Sequence, residues 1–169
     1  MKKGKQSKTK KTRIKVVKLL VLKAGVAVKN EFYLEALIII SQIMETRLRT
    51  IITRVEKAHP GSAFNLSQSV KRGKYLLLNV NDSILNKNFE VRLLDDIRSW
   101  KNQRNAILKD IQTIHVSQKR LKKMAEEGIQ LLNELNASYK KFKSDWNKSL
   151  MISYKPINQP IEVLAGSHE

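Results

Sequence analysis

Apolar residues in this chain recur at steps of three and four over long stretches, a period that predicts helices and not strands. The strongest run is 31–57, where Leu34, Leu37, Ile38, Ser41, Met44, Leu48, Ile51, Ile52 and Val55 share one side. Its middle, "LIII", is apolar almost all round, so this helix should be central with neighbours on several sides. Pro60 and Gly61 end it. Before it, 13–30 carries Ile14, Val16, Val17, Leu19, Leu20 and Leu22 and reads as a helix with a loose end near Gly25. After it, Asn65 or Ser67 can cap a shorter helix holding Val70, Leu76, Leu77 and Leu78, which Gly73 weakens. The stretch "NVNDSILNKN" is rich in turn formers and reads as a connection.

Two further long helices follow. One is expected from near Phe89 to about His115, with Leu93, Leu94, Ile97, Trp100, Ile107, Leu108, Ile111 and Ile114 inward. The other spans about Ser117 to Leu150, with Leu121, Met124, Ala125, Leu131, Leu132, Leu135, Tyr139, Phe142 and Trp146 inward. Gly128 inside it points to a close helix contact or a kink. Pro156 and Pro160 exclude a continuing helix, so 151–169 is expected as an irregular tail. The opening "MKKGKQSKTKKT" lacks apolar periodicity, and 1–13 is expected as a disordered basic arm. The pattern thus predicts an all-α fold: a four- to five-helix bundle of long helices over 14–150, with one polar excursion around 59–88.

Composition sharpens this picture in three ways. Aromatics are only 6% against 41% hydrophobic residues, and there are just six glycines and three prolines, which suits packed helices with few turns. There is no cysteine, so disulfides, cysteine–zinc sites and thiol catalysis are excluded. His59, His115 and His168 are scattered without ligand spacing, so neither a metal nor a cofactor is expected.

Charge sharpens it most. The formal net charge is +18, with a pI near 10.2, which raises affinity for polyanions. Ten of the first 23 residues are Lys or Arg and none is acidic, yet the remainder is basic too. Lys15, Lys18 and Lys23 interrupt the apolar run that follows the basic start, so it does not read as a signal peptide. No uninterrupted apolar stretch nears the roughly 18–20 residues that span a bilayer. The expectation is a cytoplasmic protein with no membrane partner.

Three segments carry a family resemblance. "YLEALIIISQIMETRLRTII" has the form of an apolar helix ending in an acid and alternating arginines. In "LLDDIRSWKNQRNAIL" a Trp precedes an Arg-Asn pair, and "LKKMAEEGIQLLNELN" has the form of a closing helix. Together, over roughly 30–147, they resemble the HEPN-domain proteins. That resemblance implies a helical bundle, often a homodimer, in which two facing Arg–His motifs cut RNA without metal. In such chemistry the ribose 2′-hydroxyl attacks the adjacent phosphate, histidine moves protons and arginine offsets charge on the phosphorane.

Arg104 and Asn105 match the start of that motif, but the histidine position falls at Lys109, Asp110 or Ile111, and none is His. A lysine amine, with an ordinary pKa of about 10.4, is protonated at neutral pH and cannot accept a proton. Asp110 could serve only as a weak base, since a free carboxylate has a pKa of about 4. His115 shares a face with Arg104, but about 1.5 Å of rise per residue separates the two by roughly 16 Å, so only a partner chain could join them. The resemblance also implies that Glu45 orients Arg104 through a charge-assisted bond, against the plainer reading of an exposed charge cluster with Arg47 and Arg49.

What the motif retains suits holding a phosphate. The expected nucleic-acid contacts are Lys101, Arg104 and Lys109, with Arg47, Arg49, Lys119, Arg120, Lys122 and Lys123, joined by Lys10, Lys11 and Arg13 of the arm. Tyr139, Phe142 and Trp146 could stack bases, but their helical spacing suits core packing better. The leading expectation is an RNA-binding protein with a degenerate ribonuclease site, a binding subunit of a toxin–antitoxin, phage-defence or other ribonucleoprotein system. Two alternatives stand beside it. One is an active metal-independent endoribonuclease using Arg104, Asn105 and either Asp110 or His115 from a partner chain. The other is a basic assembly protein that meets DNA or an acidic protein partner.

Overall fold

A computed structural model of the chain describes residues 4–57, 64–113 and 116–153; His59, Ile114, His115, His168 and the expected tail from 154 onward lie outside them. The described residues form six helices and no strand: α1 (Gly4–Lys29), α2 (Tyr33–Val55), α3 (Leu66–Asn79), α4 (Ser83–Asn88), α5 (Val91–Thr113) and α6 (Gln118–Ser153). The fold is all-α, as the three-four periodicity requires.

Local sequence sets the ends of these helices. After α1 the Phe32 amide donates to the Ala27 carbonyl and the Glu31 amide to Val28, with Glu31 at φ 63°. This left-handed C-terminal closure ordinarily takes glycine. At α3, Asn65 and Gln68 exchange side-chain and backbone bonds in a capping box, so Asn65 and not Ser67 is the cap. The connection read as turns contains α4, because the Asp82 carboxylate accepts from the Leu85 amide and Leu85 is buried. Helix α1 begins at Gly4, across the segment expected as a disordered arm. Lys, Gln and Arg favour helix, and no Gly or Pro interrupts 5–24.

Packing follows from the inward stripes. Helix α2 packs against α1, α3 and α6, while α5 packs against α3 and α6. Helices α2 and α5 therefore stand on the diagonal of a four-helix core, with α1 laid against α2 and α6 and α4 against α6. The contacts Lys101–Ser67 and Lys74–Asp95 show that α5 runs antiparallel to α3. Asp110–Arg120 and Trp100–Met124 show the same for α5 and α6. Leu37, Ile40, Ile43, Met44 and Ile52 of α2 meet Leu94, Ile97 and Ile107 of α5 and Leu132, Leu135 and Phe142 of α6 in one core.

The glycine of α6 marks a close contact. A β-carbon on Gly128 would lie 2.7 Å from Trp100 Cζ2, so the buried indole lies directly on the helix backbone. Its Nε1 donates to the Met124 carbonyl at 2.9 Å. Two expectations about the core need correction. Leu34 and Ile38 of α2 are 38% and 48% exposed, because neighbours cover only part of the "LIII" girdle. Ile111, near the end of α5, is likewise open.

Candidate nucleic-acid interface

The inward ridge of α5 is Leu93, Ile97, Trp100, Arg104 and Ile107, at steps of four, three, four and three. Every member but Arg104 is a buried apolar residue. Arg104 is half-buried, its Nε is enclosed with no hydrogen-bond partner, and one terminal nitrogen donates to Asn105 Oδ1 at 3.3 Å. Burial lowers the pKa of its guanidinium from the ordinary value. An arginine on a core ridge with an unmatched nitrogen costs stability.

The register of α5 on α3 places this arginine. Lys101 donates to Ser67 Oγ at 3.2 Å, so the next turn of α5 stands level with Phe64 and Asn65 at the start of α3. Arg49 of α2 reaches the same level, donating to the Phe64 carbonyl at 2.6 Å. Its own Nε is also enclosed without a partner. Lys101 and Arg49 therefore both reach the start of α3, and Arg104 follows Lys101 by one turn on α5.

On the other side of α5, a cleft of about 260 Å³ runs along α6, lined by Gln103, Ala106, Ile107, Arg120, Lys123, Met124 and Glu127. Arg120 donates to Asp110 at 3.1 Å across its end. Lys123 lies 3.9 Å from Glu127, a loose exposed pair that constrains neither group. Lys109, Lys119 and Lys122 are exposed and form no ion pair among the described residues. The last turns of α5 and the first turns of α6 thus carry a set of cations with few acids to match.

Several expected residues fall elsewhere. Glu45 does not orient Arg104: its carboxylate pairs with Arg49 at 2.5 Å one turn along α2, while α2 and α5 stand on the diagonal of the core. Arg47 has partners within the bundle: its Nε donates to Asn136 Oδ1 and its guanidinium lies 4.3 Å over the Tyr139 ring. Tyr139 and Phe142 are buried and Trp146 is half-buried, with the Phe142 ring 5.8 Å from Phe89 and 5.5 Å from Trp146. These aromatics are core and offer no stacking platform. Lys10, Lys11 and Arg13 sit on the α1 backbone, and their side chains lie outside the described set.

Sequence reasoning missed the aromatic–cation pair of α3. Arg72 lies 4.7 Å over the exposed Tyr75 ring and also bonds Glu56. The i, i+3 spacing of Arg72 and Tyr75 was the available signal. Among the described residues, no three metal-ligating side chains cluster and no helix is long and apolar enough to cross a membrane.

Fold and site define an all-α bundle with a cation-rich end. Comparison with family models, with curated proteins and with solved structures gives no match for this chain.

Proposed function

We propose that this is a HEPN-like RNA-binding protein whose ribonuclease site grips the backbone and does not cut it. The observation that carries the reading is Arg104. It is a cation on an apolar ridge with an enclosed, unmatched nitrogen, flanked by Lys101 and level with Arg49. A ridge position that sacrifices stability for a charge is what a phosphate-holding group requires. Lys109, at one of the positions where the resemblance calls for histidine, is exposed and suited to hold a second phosphate.

The test is binding of a fluorescent single-stranded RNA as a function of salt. For about four engaged phosphates, affinity should fall about 50-fold between 50 and 200 mM salt. Arg104→Met should weaken binding by about tenfold, the range of a lost charge-assisted contact, at every RNA sequence tried. Binding that is insensitive to salt, or unchanged by Arg104→Met, overturns the assignment.

A further inference from the structure

We infer that α1 attaches the protein to an anionic lipid surface by its outer face. This helix has apolar residues on two sides. Val17, Ala24 and Ala27 are buried in the bundle, whereas Val16, Leu19, Leu22 and Val26 are 49%, 53%, 68% and 57% exposed. At about 100° per residue Leu19, Leu22 and Val26 form one stripe along the outside of the helix, away from the buried three, while Val16 lies nearer the buried side. Phe32, in the turn that ends α1, is 61% exposed as well. Isolated exposed apolar residues are ordinary, but a continuous stripe over about two turns marks a contact surface.

Charge identifies the occupant. Helix α1 carries nine Lys and Arg residues and no acid, and the first acid in the chain is Glu31. Lys18 and Lys29 border the stripe on one side and Lys23 on the other; all three are exposed and form no ion pair among the described residues. A second copy of the chain would set nine like charges against nine. RNA offers charge but no apolar surface to cover the aliphatic side chains of the stripe. An anionic bilayer offers both: acyl chains for the stripe, and headgroups for the lysines that border it. Surface attachment needs no spanning helix, so the inference does not conflict with the absence of a span among the described residues. The inference is independent of the RNA reading, which rests on α2, α5 and α6.

The experiment is flotation of the full chain with phosphatidylcholine vesicles, with and without phosphatidylglycerol. Binding is expected only when phosphatidylglycerol is present. It should fall about tenfold or more in Leu19→Gln/Leu22→Gln, whose exposed positions leave the fold intact by circular dichroism. Lys18→Glu/Lys23→Glu should lose it as well, and RNA affinity should be unchanged in the leucine variant. Failure to float with anionic vesicles overturns the inference. So does flotation that the leucine variant does not weaken, which would mean charge attraction alone. A leucine variant that splits an oligomer while still floating overturns it too, by assigning the stripe to a second copy.

Discussion

Replacing Gly128 by alanine places a methyl group where the Trp100 indole lies. The new β-carbon would stand 2.7 Å from Cζ2 and 2.9 Å from Cε2, both closer than carbon contacts allow, and 3.0 Å from Nε1. Trp100 is 2% exposed, so the ring cannot swing into solvent without leaving the core. Overpacking of this kind costs about 1–3 kcal/mol. Moving the ring also breaks the Nε1 bond to the Met124 carbonyl, and an unmatched buried donor costs about 1–3 kcal/mol. Against this, alanine in place of glycine inside a helix gains about 1 kcal/mol. The net is a loss of about 2–3 kcal/mol, or about 5–10 °C in Tm for a chain of this length. Thermal unfolding followed by far-UV circular dichroism reads it, with near-UV dichroism reporting the indole. Gly25→Ala is the control: no atom lies within 4 Å of its added β-carbon, so the same substitution should raise Tm by about 2–4 °C. Gly128→Ala as stable as the parent, with an unchanged indole signal, would refute the close contact between α5 and α6.

Other changes test other levels. Glu31→Gly should stabilise by about 1 kcal/mol in urea unfolding, because Glu31 sits at φ 63° in a closure that glycine adopts without strain. Asn65→Ala should cost about 1 kcal/mol through loss of the α3 capping box, read as a lower urea midpoint at constant slope. Arg104→Met should stabilise the bundle by about 1 kcal/mol while weakening RNA binding, since methionine fits the ridge and leaves no enclosed nitrogen unmatched. Bonds from Asn88 and Lys87 hold the Asp145 carboxyl below its ordinary value. Its folded pKa is the depressed one, so its contribution is present above the unfolded value of about 3.9 and is lost as pH falls through the folded value. Acid unfolding of Asp145→Asn should therefore depend less on pH below about 4, and an unchanged profile counts against the bond.

The long helices were legible because their burial is one-sided. The inward positions of α5 and α6 recur at three and four, and Leu93, Ile97, Trp100, Leu121, Met124, Leu132 and Leu135 are all buried where that spacing puts them. Helix α4 was not legible, because turn formers dominate its sequence and one buried side chain with one cap gives no period to read. The exposure of Leu34 and Ile38 was hidden for the opposite reason. A helix apolar all round does not say which sides its neighbours cover, and that depends on tertiary packing. At the site, Arg104's place on the ridge follows from spacing alone. Glu45's partner does not: Arg49, one turn away on the same helix, competes for the carboxylate, and only the diagonal placement of α2 and α5 decides between them.

Grip without cleavage is tested most directly by incubating end-labelled RNA with the purified protein in chelator and resolving the products on native and denaturing gels. The expected result is a retarded complex on the native gel, full-length RNA on the denaturing gel, and loss of the complex in Arg104→Ala. Cleavage fragments that vanish in Arg104→Ala would show the site to be an active nuclease and contradict the assignment.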